Sequence, residues 1–320
     1  MDVMTDRLTI SELHQKVNQE ISGLFLVAEK ELREGKNDFY LRLKLQDRSG
    51  SISANVWKDA AKLSEQFDAG DIINIQGTVV NYKGQTQLSV SKLRFADRSE
   101  YNIEDYLMRS KIAPEVLSER FFEFVDKVKQ PYLNRLLHLI FDDKDFFTQF
   151  LTSPAAKSWH HNYIHGLIEH SVSVAALCEF ASTLYPVDYD LLISGALLHD
   201  MAKIKEYDSK SNIDFTDIGR LIGHLTLSDQ IVCETASKIA GFPEELLLNL
   251  RHLILSHHGE YEKASVRLPQ TLEAVVLHHC DNLDAQTVGV AQLIESAPKN
   301  AIWTEYDKLN NRYYKIYRPV

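Results

Sequence analysis

The chain has 320 residues, of which 44% are hydrophobic and 25% charged, a composition typical of globular proteins with about two domains. It lacks a secretory signal pattern, an apolar run as long as a membrane span, and a Cys-x-x-Cys pair among its 3 cysteines. These features predict a soluble cytoplasmic protein and exclude a disulfide framework. Residues 1–97 carry 13 Lys and Arg against 14 Asp and Glu, so nearly all of the net charge of −10 lies in residues 98–320. The excess of acidic residues in that region does not exclude a polyanionic partner.

Residues 22–95 show the period-two alternation of strands. Leucines at positions 41, 43 and 45 alternate with Tyr40, Arg42 and Lys44, and a second alternation runs from Ser51 to Trp57. Turn residues separate these runs, and Asp59 to Phe67 is a short helical insert before the fourth strand. Five strands with a helix between the third and fourth predict an OB-type barrel over residues 1–97.

The barrel region resembles the OB-fold module of the nucleic-acid-binding, tRNA-anticodon-binding type. The resemblance depends on strand order, on Asp47-Arg48-Ser49-Gly50 and on Asn55-Val56-Trp57. OB folds hold single strands by stacking bases on aromatic rings, with basic side chains along the phosphates. The residues suited to this are Tyr40, Arg42, Lys44, Trp57, Tyr82 and Lys83. An alternative stays open, in which Trp57 plugs one end of the barrel and Tyr40 pairs across strands.

The rest of the chain has the spacing of helices. Residues 98–155 are predicted to form a helical connector, in which a helix opens at Pro114 and apolar stripes continue past Pro131. Residues 156–320 are predicted to form an all-helical domain. The expected fold is therefore multidomain β + α, with a barrel followed by a helical bundle.

Of the 13 histidines, 11 lie between residues 160 and 279, beside apolar helical segments. The run from Ser194 to Lys203 ends an apolar helix in His199-Asp200, and a buried imidazole beside a carboxylate needs compensation, for which a cation is the obvious choice. Single ligands on separate helices can converge inside a bundle. The alternative is a helix end with a solvated aspartate and a hydrogen-bonded histidine.

The order of these residues resembles the HD superfamily of metal-dependent phosphohydrolases, whose core is a helical bundle. The resemblance implies a set of metal ligands, namely His170, His199, Asp200, His224, His257 and Asp281. It also implies that Asp200 bridges two metal ions. All these ligands offer nitrogen or oxygen, which suits Mn, Fe or Mg better than a structural zinc.

Two further residues are predicted to take part in catalysis with Asp200. Lys203 lies one helical turn after Asp200, where an ammonium group could meet a phosphate oxygen, although a surface lysine is the alternative. His258 is expected either to complete the shell of the second metal or to bind the phosphate. His278, His279 and Asp284 are expected to support the site rather than to bind metal.

Together, the barrel, His160-His161 before Gly166-Leu167-Ile168-Glu169-His170, and Leu255 to Glu262 resemble the YhaM-type 3′-5′ exoribonucleases over nearly the whole chain. The resemblance implies removal of nucleoside 5′-monophosphates from the 3′ end of single-stranded RNA, with two divalent ions and Mn as the usual metal. Single-stranded DNA is a second candidate substrate, and a homo-oligomer is left open. One departure is His165, where the family usually has glycine.

Two other functions stay open. The first is an HD nucleotide phosphohydrolase acting on a small nucleotide, with a regulatory OB module. The second is a non-enzymatic single-strand binder with a vestigial bundle.

The C-terminal tail interleaves aromatic and basic residues, which suits stacking on single-stranded bases and equally suits packing on the bundle or on a second subunit. These residues are Trp303, Tyr306, Lys308, Arg312, Tyr313, Tyr314, Lys315, Tyr317 and Arg318.

Overall fold

A computed structural model describes residues 8–35, 38–82, 84–102, 105–157, 159–208, 213–298, 300–307 and 309–318. The described residues fold into two compact units. The barrel unit combines the chain up to Met108 with the chain from Leu293 onward, and the helical unit comprises the described residues between Arg109 and Gln292. The predicted domain boundaries at residues 97 and 155 stay a prediction. No helix among the described residues has both the length and the apolar character of a membrane span.

The barrel unit contains a closed barrel in which the strands follow the order β1-β2-β3-β5-β4. The strands are β1 (Glu20–Glu34), β2 (Phe39–Asp47), β3 (Gly50–Val56), β4 (Ile72–Tyr82) and β5 (Gln85–Phe95). Neighbouring strands pair antiparallel except β3 and β5, which pair parallel. A short helix, α2 (Ala60–Ser64), lies between β3 and β4. The five-stranded barrel predicted from the sequence is therefore confirmed.

Alternation in β2 sets the inside and outside of the barrel. The leucines at 41, 43 and 45 are buried in the barrel core, while Arg42 and Lys44 face outward. A four-residue helix, α1 (Ile10–Leu13), adds Ile10 and Leu13 to that core, and the Asp47 carboxylate accepts a 2.7 Å hydrogen bond from the Ile10 amide. The sequence did not predict α1, because so short a helix carries no periodic signal.

The helical unit packs its helices around one apolar core. The helices are α3 (Pro114–Lys127), α4 (Pro131–Phe141), α5 (Lys144–Thr152), α6 (Gly166–Ser182), α7 (Tyr189–Leu198), α8 (Lys203–Glu206), α9 (Asp217–Leu221), α10 (His224–Ala236), α11 (Glu244–Ser256) and α12 (Leu272–Ser296). The ring of Phe121 in α3 lies 4.7 Å from that of Phe141 and 5.2 Å from that of Phe150. The segment expected as a connector therefore shares the core of the later helices.

The prediction that residues 156–320 are all-helical is wrong in two places. A two-stranded sheet pairs β6 (Tyr207–Asp208) with β7 (Asp214–Phe215). The second exception is the C-terminal hairpin, residues 302–316, which is described apart from residue 308. Its backbone hydrogen bonds join Thr304 to Tyr314 at 2.9 Å and Asp307 to Arg312 at 2.9 and 3.2 Å. Aromatic and β-branched residues favour extended backbone, which accounts for the difference.

Candidate metal centre and barrel surface

Helix ends deliver three of the histidines to one buried point. His199 and His257 are the C-terminal caps of α7 and α11, and His224 is the first residue of α10. The Nδ1 atom of His199 lies 2.8 Å from the Ala196 carbonyl, and that of His257 lies 2.7 Å from the Ile254 carbonyl. Since the last carbonyls of a helix lack partners within the helix, they accept these hydrogen bonds and leave each Nε2 directed at the centre.

Asp200 lies at the middle of this cluster and is 2% exposed. Its Oδ2 atom is 2.6 Å from Lys203 Nζ and 3.4 Å from the Nε2 atoms of both His170 and His199. Its Oδ1 atom is 3.2 Å from His224 Nε2 and 3.5 Å from His257 Nε2. Each carboxylate oxygen of Asp200 therefore faces a different pair of imidazoles.

His170 on α6 and Asp281 on α12 complete the cluster. His170 Nε2 lies 3.1 Å from Asp281 Oδ1 and 3.2 Å from His199 Nε2. On the other side of the ring, His170 Nδ1 lies 2.7 Å from Asp284 Oδ2, which is also 2.9 Å from His161 Nε2. Because Nδ1 donates to Asp284, the His170 ring is held with Nε2 toward Asp200 and Asp281.

Glu206 at the end of α8 fixes His224 in a similar way. Its carboxylate lies 2.9 Å from His224 Nδ1 and accepts a 3.1 Å hydrogen bond from the His224 amide. Glu206 is 5% exposed, and its contact with His224 could not be predicted from the sequence, because the two residues are 18 positions apart and form no recognised motif.

The charges of the cluster reinforce one another. Burial alone would lower the pKa of His170, but its hydrogen bonds to Asp200, Asp281 and Asp284 raise that pKa well above the usual value. Burial would raise the pKa of Asp281, but the hydrogen bond and charge of His170 hold it well below the usual range. Burial lowers the pKa of His258 to about 3, so that imidazole is neutral. The carboxylates are thus ionised in a setting with little solvent, which suits a cation.

Three buried atoms of the predicted metal ligands have no hydrogen-bond partner among the described residues. They are Asp200 Oδ1, His224 Nε2 and His257 Nε2. Leaving such an atom buried and unpaired costs about 1–3 kcal/mol, more for a charged group. Groups of three side chains around them each bring their ligand atoms within 4.8 Å of one another, as in His170, His199 and Asp281, or His224, His257 and His258. The nitrogen and oxygen donors fit a divalent cation.

All six residues predicted as metal ligands are brought together, with Lys203 among them. His258 stands at the edge, its Nδ1 atom 2.7 Å from the Lys263 carbonyl and its ring 4.6 Å from that of His257. The sequence left His160 without a role. Its ring lies 5.0 Å from that of His170, and both of its buried ring nitrogens lack a hydrogen-bond partner among the described residues.

The backbone before α6 explains the departure at His165. His165 has a φ of 69°, in the left-handed region that favours glycine, and its Nδ1 atom lies 2.7 Å from the Leu151 carbonyl. At the next position a Cβ atom would lie 2.0 Å from the His161 carbonyl oxygen, so Gly166 is required by close approach. This turn sets the start of the helix that carries His170.

Five of the six residues predicted to bind nucleic acid are described, and they lie on the outer surface of the barrel. Trp57, directly after β3, is 58% exposed and stacks on Tyr40 with ring centroids 4.9 Å apart and an interplanar angle of 23°. The alternative in which Trp57 plugs the barrel end is therefore wrong, whereas Tyr40 does pair across strands. Arg42 and Lys44 are exposed on β2, and Lys44 Nζ is 3.3 Å from Glu29. Tyr82 is exposed at the end of β4, and Lys83 lies outside the described residues.

Comparison with known proteins agrees with this division. Residues 167–286 match the HD domain, and residues 29–96 match the OB-fold nucleic acid binding domain. The chain is 32% identical over 312 residues to the 3′-5′ exoribonuclease YhaM of Bacillus velezensis, covering 96% of this chain and 97% of that protein.

Solved structures similar to the barrel include a domain of replication protein A from Methanococcus maripaludis. It is 25% identical, with a TM-score of 0.25, covering 29% of this chain and 98% of that one. Another is the single-stranded DNA binding protein from Thermus aquaticus, at 20% identity and a TM-score of 0.24, covering 26% of this chain and 41% of that one.

An OB-type barrel joined to a buried HD-type cluster defines a metal-dependent phosphohydrolase with a nucleic-acid-binding module. Within that class, the similarity over 96% of the chain assigns it to one family. The chain belongs to the YhaM family of 3′-5′ exoribonucleases, and the resemblance predicted from the sequence is confirmed.

Proposed function

We propose that the chain hydrolyses single-stranded RNA from the 3′ end and releases nucleoside 5′-monophosphates. The observation that carries this proposal is the position of Asp200, whose two oxygens face separate pairs of histidines in a buried cluster. Membership of the YhaM family supports this function over the alternative of a small-nucleotide phosphohydrolase.

The proposed cofactors are two divalent cations, with manganese as the first candidate. The side of Asp200 Oδ2, with His170, His199 and Asp281, would hold one ion, and the side of Oδ1, with His224 and His257, would hold the other. When bound, such ions lower the pKa of a water molecule and neutralise charge on the scissile phosphate. His258 donates through Nδ1 to the Lys263 carbonyl, which leaves the lone pair of Nε2 available as a further ligand on the second side.

Lys203 serves the cluster through its charge. Burial would lower the pKa of its ammonium group, but the nearby Asp200 carboxylate raises it, so Lys203 stays protonated 2.6 Å from Asp200 Oδ2. It therefore holds Asp200 in place and places a positive charge where substrate phosphate would enter. No protein nucleophile is required, since water attacks the phosphorus.

The barrel surface would hold the strand by stacking and by charge. Tyr40 and Trp57 offer ring faces for stacking bases, and Arg42 and Lys44 offer positive charge to the phosphates. Single-stranded DNA shares the bases and phosphates that these residues would contact, so it stays a second candidate substrate.

The test uses purified protein, Mn²⁺ and a 5′-labelled single-stranded RNA, with products separated at single-nucleotide resolution. We expect a ladder that shortens from the 3′ end together with released nucleoside 5′-monophosphates. The Asp200→Asn variant, prepared in parallel, controls for contaminating nuclease. Hydrolysis of free nucleotides by a protein that leaves the RNA intact would refute the proposal and favour the small-nucleotide alternative.

A further inference from the structure

The C-terminal hairpin, residues 302–316, and the residue directly after it expose a second set of aromatic side chains. Trp303 is 54% exposed, Tyr313 58% and Tyr317 84%. The hairpin also has a packed side, because Thr304, Asp307 and Ile316 are buried. Tyr306 packs its ring 5.1 Å from that of Tyr313. The aromatic exposure is therefore a property of an ordered segment, and its rings are available for stacking.

A cleft of about 380 Å³ lies between this segment and the turn that joins β4 to β5. Trp303 lines the cleft together with the polar residues Gln85, Asn300, Thr304 and Glu305. Its volume falls within the range of about 300–1,000 Å³ typical of small-molecule sites. One aromatic face with amide, hydroxyl and carboxylate groups beside it matches the face and the hydrogen-bonding edge of a nucleobase.

Two contacts hold the cleft in shape. Gln85 Nε2 donates a 3.2 Å hydrogen bond to Glu305 Oε1, which ties the β4–β5 turn to the C-terminal hairpin. The guanidinium group of Arg318 donates to the carbonyl of Ala301 at 2.8 Å and to that of Pro298 at 3.3 Å. Because Pro298 and Ala301 line the cleft, Arg318 fixes the backbone of one wall.

Residues 300–318, which include the C-terminal hairpin, carry a net positive charge, whereas the whole chain is negatively charged. Residues 300–318 contain 4 Lys and Arg against 2 Asp and Glu, whereas the full chain has a net charge of −10. Arg312 and Lys315 are exposed, and Lys315 pairs with Trp303 across the hairpin; Lys308 lies outside the described residues. The positive charge of this surface complements the phosphates of a polyanion.

We propose that the cleft and the C-terminal hairpin form a second base-binding site for single-stranded nucleic acid. Trp303 stacks on a base whose edge meets Gln85 and Asn300, and Arg312 and Lys315 lie along the neighbouring phosphates. The proposal rests on the proposed function, because it adds a contact for the same strand. The site therefore adds affinity for a long single strand.

The test measures equilibrium binding of a fluorescent 20-nucleotide polyuridine RNA to the full chain carrying Asp200→Asn, so that no cleavage intervenes. We expect Trp303→Ala to weaken binding about five- to 150-fold, the effect of losing one stacked base. Trp303→Phe, which keeps a ring, should retain most of the affinity. Tyr185→Ala is the matched control, since Tyr185 is 54% exposed and belongs to the helical unit.

A second variant keeps the test decisive should Trp303→Ala fail to fold. The double substitution Arg312→Glu and Lys315→Glu should weaken binding and make it less dependent on salt, because fewer counterions are released from the RNA. Unchanged RNA affinity in both variants overturns the site. If light scattering also shows a changed oligomeric state, the surface is an interface between copies.

Failure of the site and failure of the proposed function give different results. If the wild-type protein shortens RNA and the Trp303→Ala variant binds RNA as tightly as its parent, the proposed function stands and the second site is refuted. If the wild-type protein leaves RNA intact and the Trp303→Ala variant binds RNA weakly, the proposed function is refuted and the second site stands.

Discussion

The barrel and the helical unit use polar residues in opposite ways. The barrel exposes the side chains of Trp57, Arg42 and Lys44 to solvent, where each acts independently of the other two. The helical unit buries Asp200 and His170 so that each depends on several charged neighbours. An exposed surface tolerates substitution by a similar side chain, whereas a buried cluster loses its balance of charge with any single change. Binding and chemistry in this chain should therefore respond differently to mutation.

Asp200→Asn should give the largest effect. The substitution keeps the volume of the side chain, so the chain should still fold, but it removes the charge that both sides of the cluster share, so kcat should fall more than about a hundredfold. The control is Asp214→Asn, whose carboxylate pairs with Lys157 and Arg220 at the surface. Near-normal kcat with full metal content in Asp200→Asn would contradict the shared-carboxylate arrangement.

Substitutions of the adjacent residues His257 and His258 test whether a buried side chain at Asp200 matters more than one at the edge of the cluster. His257 is 1% exposed with Nε2 3.5 Å from Asp200, whereas His258 lies at the edge. His257→Ala should lower metal affinity or kcat about 10- to 100-fold, and His258→Ala should cost less. Metal titration and steady-state kinetics on both variants measure the ranking. Equal losses would show that the two residues contribute alike.

On the barrel, Trp57→Ala should change binding and spare chemistry. Loss of one stacked base should cost about 1–3 kcal/mol of affinity for a long RNA. Trp57→Phe should recover most of that affinity, because the ring remains to stack on Tyr40. The measurement compares KM for a long RNA with KM for a dinucleotide. A similar rise in both values would mean that Trp57 acts on the metal centre rather than on the strand.

The pH dependence of metal binding is a further test of the buried cluster in the helical unit. Burial alone would lower the pKa of His170 and His224, but the carboxylates beside these imidazoles, Asp200 among them, outweigh it and raise both pKa values. These imidazoles keep a proton to higher pH than usual, and a metal ion must displace it, so apparent metal affinity should rise with pH by up to about tenfold per unit for each proton released. Titrations from about pH 6 to 8 measure the slope.

Glu206→Gln provides the matched variant for that measurement. It removes one carboxylate that raises the His224 pKa, so its metal affinity should level off at a lower pH than that of the wild-type protein. An affinity that does not vary with pH in the wild-type protein would show that no proton is displaced from these imidazoles.

The smallest effect is expected at His165. Glycine would relieve the left-handed backbone at φ 69° but would lose the hydrogen bond to the Leu151 carbonyl. The two contributions are each about 1 kcal/mol and oppose each other, so His165→Gly should change the free energy of unfolding by less than about 1 kcal/mol. Chemical denaturation measures this, and Gly166→Ala, whose Cβ would meet the His161 carbonyl, should cost clearly more. Equal losses would show that the turn is not constrained at Gly166.

Much of this arrangement could be predicted from the sequence. Alternation in β2 was enough to place Leu43 inside and Arg42 outside, because a barrel strand has only two faces. The order of histidines and aspartates predicted the cluster, because each ligand sits at a helix end or on an apolar helix. Glu206 could not be predicted, since its partner His224 is reached only through the fold. The C-terminal hairpin was missed because its aromatic residues fit a packed helix as well as a strand.

The contact between Gln85 and Glu305 joins residues 220 positions apart. The barrel strands lie within the first 95 residues and can pair soon after they are synthesised, whereas Glu305 is made only after the whole helical unit. A chain released early by the ribosome could thus close its barrel and still lack one wall of the cleft. Completion of the cleft therefore comes after synthesis of the barrel strands and of the helical unit, and it closes a loop of 220 residues.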